Sequence, residues 1–436
     1  MTTTASPAAP PAPTAAVGAP TAPGAPATAP PAHPTSGWGS TPRGLRVWGA
    51  LAAVVTALTG LFGVLAVSSQ SLAVEDARDA AAQLVGLQDA RNQLVAADAA
   101  ATTAFLVGGL EPVELRTRYD AAVDAGAQAL TSLAATGPDG ADGLAAVSAD
   151  LTRYTGLVEQ ARANNRQGFP VASAYLEEAS AVLRDDVVPA LDALVAAEQQ
   201  QVDDEIGTAR FAAPMLVAVA VLALVVLALV QVWVARRTRR TFNVGLVAAT
   251  VAVVLVGAVG GAVLGGAGAR AAQVRDDAYR ATVQTSQAFA LVNDARSQEA
   301  FTLIRRGSGA SYEETFRANV ADARTALERD GVRLDRSLVD RLDAWVAAHD
   351  EVRQRDDGGD WDGAVALVTS DDPGAPPALF DELSGALTSA VDAGGRQVAD
   401  GLRPAGAWLG WALVALGGAG AVLAWTGLRP RREEYR

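Results

Sequence analysis

Hydrophobic and polar positions vary along this chain on two scales. On the coarse scale, four uncharged apolar runs separate long polar stretches. Each run has at least about 20 residues, roughly what an α-helix needs to cross a ~30 Å hydrocarbon core. Residues 43–67, 211–234, 242–264 and 405–428 are therefore predicted as transmembrane helices. On the fine scale, apolar residues in the inserts 68–210 and 265–404 recur every three or four positions, the period of an amphipathic helix rather than a strand. In the first insert this pattern breaks at 108–112, 136–140 and 165–170, and in the second at 307–309, 330–331 and 356–359. A further interruption at 371–377 splits the last helix of the second insert. These breaks are clusters of Gly, Pro, Asn and Asp, which end helices and start turns. The predicted fold is an all-α membrane protein with four transmembrane helices and two tandem extracytoplasmic four-helix bundles. The outer helices of each bundle continue into the spans as stalks.

The two halves read as an internal duplication. Each runs span, four helices, span, arginine cluster. Asp98 and Phe105 lie 196 positions before Asp294 and Phe301, and Gln201, Val202 and Asp204 stand the same distance before Gln397, Val398 and Asp400. Parallel internal repeats are common in membrane proteins. Two bundles tethered in one chain meet at high effective concentration, so a monomer holding an internal pseudo-dimer is expected. Helices of some 40 residues put the turns ~60 Å above the bilayer at ~1.5 Å per residue.

Charge sets the orientation. All 35 basic residues are Arg. Arg43, Arg46, Arg236, Arg237, Arg239 and Arg240 flank the first three spans, and Arg429, Arg431 and Arg432 follow the fourth. Arg-rich short loops stay in the cytoplasm, so both termini and the loop 235–241 are expected inside a plasma membrane. The inserts are strongly acidic, with 22 Asp/Glu against 9 Arg in the first, and are expected outside. An acidic exterior disfavours a nucleic-acid partner. With no Cys, the inserts rely on helix packing rather than disulfides. Residues 1–42 are rich in Pro, Ala and Thr. They read as a disordered cytoplasmic tail that is either a solvated spacer or a docking or phosphorylation segment. Residues 429–436 form a short second cytoplasmic tail.

Chemistry is sparse. The two His are His33 in the tail and His349, which shares a helix face with Leu338, Leu342 and Trp345 and reads as a packed histidine. No phosphate loop, zinc-protease or serine-hydrolase motif occurs, so neither catalysis nor a cofactor or metal is expected. From Val47 in the first and throughout the other three, the spans carry no charged residue, which disfavours transport. They do carry glycines at helix-packing spacing: Gly257, Gly261 and Gly265, and Gly406 with Gly410. Asp98, with Arg91 on the same stripe, reads either as an ion pair or rim position, or as a polar spot whose pairing shifts on signalling. The turn residues Glu111, Asn165, Arg166, Arg305, Arg306, Asp356 and Asp357 are soluble turn positions. They would also be the first reached by a partner docking from outside.

A two-span unit around a helical bundle, as in 47–234, resembles the sensory modules of bacterial chemoreceptors and histidine kinases. It departs from them in having no HAMP or output domain after Arg240 or Arg432. The whole arrangement, with its Arg-only, Ala/Gly-rich and so plausibly actinobacterial composition, is similar to the GlnX membrane proteins. That resemblance implies glutamate/aspartate sensing through an extracytoplasmic substrate-binding lipoprotein, GlnH, and relay to a cytoplasmic Ser/Thr protein kinase, PknG. It carries over no functional residue. Three readings stay open: a non-catalytic signal transducer, a structural scaffold of an envelope complex, and a direct small-molecule sensor.

Overall fold

The computed structural model describes residues 41–107, 111–136, 140–238, 243–329 and 336–427. Outside them lie the tail up to residue 40, the loop residues Arg239, Arg240 and Phe242, and 428–436. The turn residues 108–110 and 137–139, with Asp330 and Gly331, also lie outside.

Three long helices dominate. α1 spans Thr41–Val107, 67 residues or ~100 Å at ~1.5 Å per residue. α4 comprises Ala172–Ala181, a π-helical turn at Val182–Val187, and Val188–Thr238. α5 is the continuous stretch Val244–Ile304, with π-helical turns at Val256–Gly260 and Arg275–Tyr279. Between them lie α2 (Val113–Thr136) and α3 (Ala141–Arg166). After α5 come α6 (Ala310–Leu327), α7 (Arg336–Asp357), the short α8 (Trp361–Val368), α9 (Pro376–Gly401) and α10 (Trp408–Gly427). No strand occurs among the described residues. Gly140 and Gly307 take φ of 81° and 78°, backbone that L-residues with a Cβ avoid, which is why the chain turns there. Asn243 caps α5 by accepting from Gly245 N at 3.0 Å, and Asp360 caps α8 by accepting from Gly363 N at 3.0 Å. Pro214 sits inside α4 without ending it, as neighbouring helices in a membrane allow.

The apolar ends of α1, α4 and α5 gather with α10 into a four-helix group, and all four are long and apolar enough to cross a membrane. Inward, Ala52, Leu227, Val230 and Leu246 form one buried cluster and Leu216, Val256, Leu264 and Leu413 another. Outward, Leu58, Phe211, Val225 and Trp411 are more than half exposed, as lipid-facing side chains are. The chain is an all-α membrane protein.

Gly257, Gly261 and Gly265 lie against α4. A β-carbon at Gly257 would stand 2.8 Å from the Ala220 side chain, one at Gly261 2.8 Å from Val217, and one at Gly265 3.7 Å from Ala213. Gly410 faces Val64 and Val67 of α1. Gly406 does not belong to a packing face. It lies in a non-helical link, 402–407, that separates α9 from α10, and a β-carbon there would come nearest the Trp408 ring, at 2.7 Å. The expected continuous stalk on the fourth span is therefore broken, because Pro404 cannot donate the hydrogen bond a continuing helix needs. Tighter contacts sit elsewhere: Gly60 of α1 against Gly417 of α10, and Gly245 of α5 against Gly427 of α10.

Away from the spans, α1 to α4 form the first helical unit and α5 to α9 the second. The units are not separate. α1 packs along α5, and one buried cluster runs from Leu84, Leu94, Tyr154 and Leu191 to Phe289, Phe301, Phe316, Trp345 and Leu387.

Candidate functional site

The surface between the two units holds a seam of buried polar groups. At its centre Asp98 of α1 is 3% exposed. Its carboxylate accepts from Ser180 Oγ of α4 at 2.6 Å and from Ser297 Oγ of α5 at 2.7 Å, so one side chain joins three helices from both units. Burial drives the Asp98 pKa up. The Arg184 charge and the two hydroxyls pull it back, and the net shift is upward. One turn and more below, Asn92 Nδ2 donates to Ser286 Oγ of α5 at 3.1 Å. Arg91 forms an ion pair with Asp192 of α4 and is itself 7% exposed. Arg184 lies on the π-helical turn of α4, with its Nη1 3.9 Å from Asp294 of α5. Asp294 in turn accepts from Gln298 at 2.9 Å and Asn319 at 2.6 Å. Single π turns inside α-helices often mark functional positions because they redirect side chains. Here the turn carries Arg184 at the edge of a cleft of about 470 Å³ between α1, α4 and α5.

Of the residues singled out in the sequence, Asp98, Arg91 and Asp294 meet in this seam. Ser180, Ser297, Arg184 and Asp192 complete it and were not foreseen. The only trace in the sequence is that Arg184 interrupts an apolar stripe of Val182, Leu183 and Val187.

The turn residues fare differently. Arg305 is held by Glu177 of the first unit at 2.6 Å, so it bridges the units rather than standing free for a partner. Asp356 and Asp357 both pair with Arg353, and Glu111 with Arg162 at 2.9 Å. Asn165 donates weakly to Phe105 O at 3.4 Å. Arg306 is exposed and stacks on Trp361, its guanidinium 3.6 Å from the ring centre. Arg166 is exposed. Glu111, Asn165 and Arg166 border a cavity of only about 20 Å³, room for about one water. Reversing Arg305 to Glu is therefore expected to loosen the two units at their far end. The effect on unfolding should be no more than about 1 kcal/mol, since the pair is partly solvated. Hydrogen exchange at 172–181 and 301–312 should rise together. A rise in only one segment would mean that the bridge does not couple them.

A second cluster lies in the other unit. His349 is fully buried, stacked on Phe316 with ring centres 3.6 Å apart. Its Nδ1 is 2.8 Å from Glu299 and its Nε2 3.0 Å from Glu313. Arg296 pairs with Glu299, and Arg317 with Glu313 at 2.7 Å. Burial lowers the His349 pKa, but hydrogen bonds to the two carboxylates outweigh it and the net shift is upward. Burial raises Glu299 and Glu313, and the adjoining cations overturn this so that both end below the ordinary value. The packed histidine thus sits between two carboxylates that are each also paired with an arginine.

Residues 73–207, which cover most of the first unit, match the family model of an actinobacterial sensor domain. No curated protein and no solved structure matches the chain. The first unit is therefore similar to a signal-sensing module, and it is carried on an all-α membrane scaffold.

Proposed function

We propose that the protein is a non-catalytic transmembrane signal transducer of the cell membrane. Its two helical units stand outside, its termini and Arg loop stand inside, and a substrate-binding lipoprotein is captured at the far turns. Its state is passed to a cytoplasmic Ser/Thr kinase. The observation that carries this reading is the continuity of α1, α4 and α5 from the polar seam into the apolar spans. A change in seam pairing, on helices that long, is delivered to the membrane as a shift of whole rods, and shifts of ~1–2 Å are enough for helix-coupled switching. The similarity of 73–207 to a sensor domain supports the same reading. The arginine asymmetry supports the orientation. Arg166, Arg306 and Asp357, exposed at the turns, offer mixed charge of the kind that steers a partner.

The test is capture of the intact protein from membranes, with and without added glutamate or aspartate, with a Cys scan for sidedness. An extracytoplasmic binding protein and a kinase should co-purify, with amounts that change with the amino acid. Cysteine at Gly140 should label from outside and cysteine at Thr238 only from inside. Labelling of Thr238 in intact cells, or a catch that holds neither partner class, would overturn the proposal.

A further inference from the structure

We propose that the cleft between α1, α4 and α5 binds a small zwitterion with an aliphatic side chain, an amino acid of the valine or leucine kind. Arg184 would hold its carboxylate, and Asp98 with Asp294 its ammonium. This goes beyond partner capture by giving the seam a ligand of its own. It rests on the transducer reading for its consequence, though not for the binding itself.

The cleft volume, about 470 Å³, lies in the range of small-molecule sites. Val95, Leu183, Val188 and Leu291 give it apolar wall, while Asp98, Arg184 and Asp294 meet toward one end and Gln88, Arg91 and Asp192 line it further along. Several of those groups are unsatisfied. The Arg184 Nη1 is buried with no hydrogen bond, its nearest carboxylate being Asp294 at 3.9 Å. Gln88 is 1% exposed and its Oε1 has no donor, and Nε of the buried Arg91 has no acceptor. Buried polar groups without partners are expensive, and here they border one cavity.

Charge selects the ligand. Arg184 asks for an anion, while Asp98 and Asp294 stand beside it as acceptors. A plain carboxylate would answer Arg184 but bring a further negative charge against two acids. A plain amine would answer the acids and leave Arg184 with only its long contact to Asp294 at 3.9 Å. A zwitterion meets both, and the apolar walls suit an aliphatic side chain.

The second repeat does not reproduce the feature. At the 196-residue offset, Gln287 stands for Arg91 and Phe380 for Arg184, and Phe380 packs on Trp345 with ring centres 5.5 Å apart. An aromatic ring takes the place of the guanidinium. The cations are thus specific to one face of the pseudo-dimer and are not a by-product of duplication. The ligand also has leverage. Asp98 is the carboxylate that Ser180 and Ser297 share across the units, so an ammonium beside it competes for the link itself.

The test is calorimetry on the full chain in lipid nanodiscs with three probes of similar shape: L-leucine, 4-methylpentanoate without the amine, and 3-methylbutylamine without the carboxylate. Leucine should bind, and each single-charge analogue should bind at least about 10-fold more weakly, the loss of one charge-assisted contact. Arg184→Met should weaken leucine binding by a similar factor. Ala290→Phe, which fills the cleft from α5 without removing a charge, should do the same with helicity unchanged. If Arg184→Met fails to fold, Ala290→Phe decides. No heat with leucine or valine up to about 10 mM, equal binding of 4-methylpentanoate, or full binding by Ala290→Phe would each overturn the assignment. Failure here with partner capture intact would remove the cleft ligand and leave the transducer. Failure of capture with leucine binding intact would do the reverse.

Discussion

Replacing His349 with Leu should destabilise the second unit by about 3 kcal/mol, because it strips a buried carboxylate of one of its two cationic partners. Glu299 is 2% exposed and keeps only Arg296 after the change. The loss should depend on pH in a defined direction. His349 has a pKa raised above its ordinary 6.5, so its contribution is complete below 6.5 and disappears as pH climbs through the folded-state value. Glu299 and Glu313 lie below their ordinary 4.5. Their contribution is complete above 4.5 and disappears as pH falls through their folded-state values. The cluster is therefore most stabilising between pH 4.5 and 6.5, and the gap between parent and variant should narrow toward alkaline pH. Denaturant unfolding in detergent across pH, with hydrogen exchange at 310–327 and 336–357, would read this. A gap that widened as pH rose would mean that His349 is buried neutral, against the upward shift its two carboxylate neighbours impose.

Gly417→Leu should be strongly damaging to the packing of the spans. A β-carbon at 417 would lie 2.6 Å from Gly60 Cα of α1, backbone that has no side chain to rotate away. A full leucine must push α10 off α1, and overpacking of this kind costs about 3 kcal/mol or more when backbone has to move. Gly418 is the internal control: a β-carbon there meets nothing within 4 Å, so Gly418→Leu adds only lipid-facing surface. Resistance to SDS unfolding should fall sharply for the first and hardly at all for the second. Equal loss for both would show that helix propensity or insertion, not the α1–α10 contact, sets the outcome.

These two sites show what could and could not be read from the residues alone. Helix boundaries were legible because their causes are local: Gly140 and Gly307 need positive φ, and apolar spacing switches off at the turns. The Gly257–Gly261–Gly265 stripe was legible for the same reason. The Gly60–Gly417 contact was not, since the partner of each lies on a helix distant in sequence. Asp98 could be singled out, but its burial depends on Ser297 from the other unit, 199 positions away. Arg305 looked like a soluble turn residue because nothing near it in sequence announces Glu177, 128 positions earlier. Gly406 was misread through a spacing rule that ignored Pro404 two residues before it. Local chemistry fixes where elements start and stop, whereas pairings between repeats depend on a docking geometry that no window of sequence contains.

The link at 402–407 gives the molecule an uneven stiffness. Three spans continue helices of the two units with no non-helical residue between, although α4 and α5 carry π-helical turns and α4 carries Pro214. The fourth, α10, hangs from a short irregular tether and receives almost no torque from α9. It is instead clasped at Gly417 against α1 and at Gly427 against α5. In mechanical terms it is a follower: it tracks the relative motion of its two neighbours without driving either. A displacement between α1 and α5 is therefore converted into a roll or slide of α10, which turns a movement between repeats into a movement of the fourth span.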